Sequence, residues 1–102
     1  MAAIELDLSE LEPPHPWERV VEQLPKLQQG DWLQLWHHRE PIPLWSLLKR
    51  LGLNYHCIPV SALSVEQLQQ LGAVPPRAQY WLLVWNSSDT ESASTCQWLL
   101  GS

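Results

Sequence analysis

Ile4-Glu5-Leu6-Asp7-Leu8 alternates apolar and polar residues with period two, the pattern of a half-buried strand. Glu12-Pro13-Pro14-His15-Pro16 then interrupts regular structure, because each proline lacks an N–H and biases its predecessor away from helical angles. Pro16 suits the first position of a helix carrying Trp17, Val20, Val21 and Leu24 at helical spacing, which kinks or ends near Pro25. Trp32 to Trp36 predicts a second strand, with Leu33 and Leu35 on one face and Trp32, Gln34 and Trp36 on the other. After the polar loop His37-His38-Arg39-Glu40-Pro41, a second helix from about Pro43 aligns Leu44, Leu47, Leu48 and Leu51, with Gly52 as its left-handed cap. A third strand covers about 54–60, and Pro59 marks a sheet edge or the strand's end. Ser64-Val65-Glu66-Gln67 has the form of a capping box and opens a short helix that runs to Gly72. Residues 79–85 form the last strand, with Leu82 and Val84 facing one way and Trp81, Leu83 and Trp85 the other. From Asn86 the chain turns polar, so one domain over 1–86 and a loose tail over 87–102 are expected, with Trp98 as a docking point.

Two main helices provide cover for one sheet face. The expected fold is therefore an α/β two-layer sandwich with a short extra helix before the last strand. If Leu33, Leu35, Leu82 and Val84 face the helices, then Trp32, Trp36, Trp81 and Trp85 form an open tryptophan stripe. Such a stripe fits a homodimer, a partner protein, or the tail folded across it. Reversed registers, with the rings as core, are the alternative. Seven tryptophans without a single phenylalanine are what make the question pressing.

Charge narrows the partners. The net charge is −5, and the six Lys and Arg residues never form a run, which disfavours nucleic acid. No stretch approaches 18 apolar residues, and MAAIELDLSELE has neither a basic nor an apolar leader segment. No membrane is expected, and the cytoplasm is the expected location. Cys57 and Cys96 are far apart and match no metal or redox spacing.

The stretch Leu11-Glu12-Pro13-Pro14-His15-Pro16, together with His38-x-Glu40-Pro41-x-Pro43-Leu44, resembles the uncharacterised DUF2249 family, related in fold to the TusA/SirA-like sulfur carriers. The resemblance covers about residues 4–60 well and the strand near 79–86 loosely. It implies a β-α-β-α-β-β fold with both helices on one side of a mixed four-stranded sheet and the last two strands antiparallel. Sulfur carriers of this kind place a reactive cysteine before a proline in the loop leading to the first helix. Here that loop reads Pro13-Pro14, so the carrier thiol is missing. Neither Cys57 nor Cys96 replaces it by position, and a sulfur-relay role without the usual thiol is the remotest alternative.

Two loops carry the candidate chemistry. If the first two strands are parallel, the segments 12–15 and 37–40 leave the same sheet edge, where both helices start with unpaired N–H groups. His15, His38 and Glu40, with Glu12, form a candidate transition-metal set of imidazoles and carboxylates. His37 and His38 are adjacent in an extended segment and should point opposite ways, which argues against one shared ion. Glu12, His15, His38, Arg39 and Glu40 are equally candidates for a small ligand. An anion site built on Arg39 and His38 is opposed by Glu12, Glu18 and Glu40. No nucleophile with an adjoining base is visible, and Glu12 with Glu40 is explained first by helix capping. The reading is a small non-enzymatic binding or interaction module, with a metal- or ligand-binding accessory protein as the alternative.

Overall fold

A computed structural model describes residues 3–9, 15–40 and 42–100, with the backbone alone at 3, 15–17 and 43. Its elements are β1 (Ala3–Asp7), α1 (His15–Gln23), β2 (Trp32–His37), α2 (Ile42–Arg50), β3 (Leu53–Pro59), α3 (Val65–Leu71), β4 (Tyr80–Asn86) and α4 (Thr90–Leu99). Local chemistry explains several boundaries. Pro25 turns the end of α1 into a single 3-10 turn over Leu24–Lys26. Gly52 takes φ +74° directly after α2, a conformation that favours glycine. The capping box of α3 is complete: Gln67 N–H donates to Ser64 Oγ (3.1 Å), and Ser64 N–H donates to Gln67 Oε1 (2.9 Å).

The four strands form one mixed sheet in the order β1-β2-β4-β3. β1 and β2 are parallel, while β4 runs antiparallel to both β2 and β3. Strands one to three thus share a direction, and the last strand is inserted between the second and third. The antiparallel last pair is what the family resemblance implied.

The predicted strand faces are correct. Leu6, Leu8, Leu33, Leu35, Leu82 and Val84 pack with Val20 of α1 and with Leu44 and Leu48 of α2. The expectation of one covered face needs correction. Trp36, Trp81, Leu83 and Trp85 form a second core with Leu63, Ala78 and Cys96, joined by Leu68 and Leu71 of α3 and Ala93 and Leu99 of α4. Helices therefore pack on both faces of the sheet, and of the three covers expected for the tryptophan stripe it is the tail, as α4 with α3 beside it, that lies across the rings.

The expected loose tail is a helix for a local reason. Asp89 caps α4 by accepting from Glu91 N–H (3.2 Å) and Ser92 N–H (3.3 Å). The same carboxylate accepts from Gly30 N–H (2.5 Å), which ties the helix start to the turn before β2. At the other end Gln67 Nε2 donates to Leu99 O (3.3 Å). Trp98 does not dock, being 62% exposed; Ala93, Cys96, Leu99 and Leu100 make the contact instead.

Candidate functional site

Parallel pairing of β1 with β2 brings their carboxyl ends to one edge, where Leu8 N–H donates to Trp36 O (2.8 Å) just beyond the paired register. α1 and α2 both begin after these ends. The ends of β1 and β2 therefore leave the sheet side by side. Glu12 lies outside the described residues, as does the side chain of His15, whose backbone opens α1.

β2 extends one residue beyond its predicted end, to His37. Its parity with Leu33 and Leu35 turns His37 to the α1–α2 face, opposite Tyr80 in the register. His37 is only 8% exposed. Arg39 N–H donates to its Nδ1 (2.9 Å), so the neutral ring carries its proton on Nε2. Burial pushes its pKa down to about 4, with smaller contributions from the charges of His38 and Arg39.

The chain bends at His38, and that bend overturns the expectation that the two rings point apart. They stack with centroids 4.9 Å apart and planes 21° from parallel. Nearly parallel rings aim their in-plane lone pairs side by side instead of at one point, so a shared ion remains disfavoured, now for this reason. His38 Nδ1 is buried and has no hydrogen-bond partner among the described residues. Arg39 and Glu40 are exposed beside it, and Glu40 O accepts from Ile42 N–H (2.9 Å) at the start of α2.

Sequence reasoning missed two members of this neighbourhood, His37 as the buried imidazole and Cys57 on β3. Cys57 lies on the same face as His37, and its thiol is pushed up to about 11 by burial and by the charge of Glu40. Extending the alternation of β2 by one residue would have found His37. Nothing local announces Cys57, because only the insertion of β4 between β2 and β3 sets its position. Among the described residues no group of three or more His, Cys, Asp or Glu side chains could hold a metal ion.

A family described as "Uncharacterized conserved protein (DUF2249)" matches residues 5–58, which include both strand ends of the rim, α1 and α2. The chain belongs to the DUF2249 family. No curated protein and no solved structure matches this DUF2249 chain. No helix among its described residues is long and apolar enough to cross a membrane.

The sheet's opposite end holds a polar cleft of about 310 Å³ between Leu27–Gln29 and Asn86–Thr90. Its one carboxylate, Asp89, already accepts from Gly30, Glu91 and Ser92 N–H, and these bonds, Gly30's first, hold it below the usual carboxylate range. The histidine rim differs in holding a buried nitrogen that no described residue pairs.

Proposed function

We propose that this DUF2249 chain is a small non-enzymatic binding module, on a fold of the TusA/SirA type without a carrier thiol, and that its ligand sits at the histidine rim. The observation that carries the reading is His38 Nδ1, buried beside the neutral His37 without a partner among the described residues. An unpaired buried polar atom costs about 1–3 kcal/mol, and a small polar ligand that pairs it recovers that energy on binding. Arg39 and Glu40, the next two residues in the chain, are exposed and carry charges of both signs, which suits a ligand with a donor and an acceptor. Both thiols are pushed up, Cys57 to about 11 and Cys96 to about 12, so neither is poised for sulfur relay.

The same nitrogen favours a second reading, a transition-metal ion held by His15, His38 and Glu40. The stacked pair then contributes one imidazole. Thermal unfolding of untagged protein with Zn²⁺, Ni²⁺, acetate, phosphate or glycine separates the readings. Stabilisation by one of the three small molecules, lost in His38→Ala, supports the first reading, and a metal-only effect lost in both His38→Ala and His15→Ala supports the second. If no probe stabilises the protein, or if the effect survives His38→Ala, the rim is not the site.

A further inference from the structure

We propose that β3 pairs with β3 of a second copy of this chain, joining two four-stranded sheets into one eight-stranded sheet across a two-fold axis. The order β1-β2-β4-β3 leaves two edge strands, and no described strand pairs with the outer side of either. The two edges are defended differently. β1 has five residues, two of them the exposed acids Glu5 and Asp7, so antiparallel pairing with its own copy sets like charges against each other. β3 has seven residues, Leu53-Asn54-Tyr55-His56-Cys57-Ile58-Pro59, with no Asp, Glu, Lys or Arg and proline only at the last position.

The surroundings of β3 favour a copy of itself as the occupant. An antiparallel pairing centred on His56 uses the whole strand and brings Asn54 opposite the copy's Ile58 and His56 opposite its own copy, with no Asp, Glu, Lys or Arg in either strand. On the α2 side, Tyr55 stacks on Trp45 with centroids 4.4 Å apart and planes 2° from parallel, and both rings are only half-buried. The two-fold would bring both aromatic pairs to the seam, beside the 53%-exposed Leu51 at the end of α2. Main-chain hydrogen bonds then supply the pairing and these rings the apolar burial.

The test is sedimentation equilibrium of the full chain up to about 1 mM. The wild type should be a concentration-dependent dimer. In Asn54→Lys/His56→Lys, which places four lysines across the seam at exposed positions, the dissociation constant should rise tenfold or more while far-UV circular dichroism stays unchanged. In a Cys57→Ser background, His56→Cys should cross-link two copies with diamide as oxidant. A monomeric wild type at all concentrations overturns the proposal. So does a dimer indifferent to the two lysines, a species larger than a dimer, or a dimer abolished by Val65→Ser or Trp98→Ser instead.

Discussion

The two faces of the sheet are closed in different ways. On the α1–α2 side the strands present leucine and valine, and the helices answer with Val20, Leu44 and Leu48, so little polar material is buried. On the α3–α4 side the strands present tryptophan, and every ring brings a donor into the interior. Trp36 Nε1 donates to Glu5 Oε1 (3.2 Å), whereas the buried Nε1 atoms of Trp32, Trp81 and Trp85 have no partner among the described residues. Aliphatic side chains need only volume and shape to close a face. Indoles need acceptors as well, and α4 offers Ser92, Ala93 and Cys96, whose small side chains leave room for the rings but do not pair them.

The strongest way to break this comparison is to remove the cover that the tryptophan face depends on. Deleting residues 89–102 exposes rings whose burial contributes about 1.5–3 kcal/mol each. The loss should exceed about 5 kcal/mol, which is the whole stability of many domains this size. Tryptophan emission should shift to the red, and cooperative unfolding should vanish. A truncated chain that melts like the wild type would show that α4 contributes little to this face. On the other face Leu48→Ala removes a fully buried side chain and should cost about 2–5 kcal/mol in urea unfolding.

A smaller effect belongs to the rim. The pKa of His37 is about 4 when folded, against 6.5 as its ordinary value. The unfolded chain therefore binds the proton first, and the stability held above about pH 6.5 is lost as pH falls toward 4. The loss should be on the order of 3 kcal/mol. His37→Asn keeps an acceptor for Arg39 N–H and has no imidazole to titrate, so the difference between the two urea-midpoint profiles isolates it. Parallel profiles between pH 4 and 6.5 would mean that His37 is not held neutral by burial. Within the tryptophan face, Trp36→Phe should cost about 0.5–1.5 kcal/mol more than Trp81→Phe, because only Trp36 surrenders a hydrogen bond. Equal costs would make the Glu5 contact energetically silent.

What was legible in the chain followed the same division. The alternation of Leu33 with Leu35 and of Leu82 with Val84, and the leucine spacing of α2, gave the aliphatic face and its cover, because apolar periodicity is a direct record of burial. The cover of the other face was not legible. Thr90–Leu99 reads TESASTCQWL, and its buried positions include Ser92 and Cys96 while Trp98 points outward. A helix that packs through small side chains against large rings leaves no apolar stripe to detect. At the rim, the two chain breaks and Glu40 were readable from prolines and polar runs. The depth of His37 depended on one further strand residue, and the approach of Cys57 on long-range strand order.

The smallest effect uses one thiol on each side of the sheet. Cys57 is half-buried at the edge of the aliphatic face, and Cys96 is 0% exposed on the inner side of α4 in the tryptophan core. A shift from 9.0 to about 11 leaves Cys57 with about one hundredth of the ordinary thiolate population at pH 8, so iodoacetamide should alkylate it some hundredfold more slowly than a free thiol. Cys96, pushed to about 12 and fully enclosed, should react only when α4 lifts from the sheet, and its rate should track local opening. Mass spectrometry of the time course should therefore show Cys57 modified first. If Cys96 is modified first, α4 opens more readily than the strand edge, and the tryptophan face is the weaker of the two closures. If both react together at the rate of global unfolding, the two faces open as one cooperative unit and the contrast between them is confined to their chemistry.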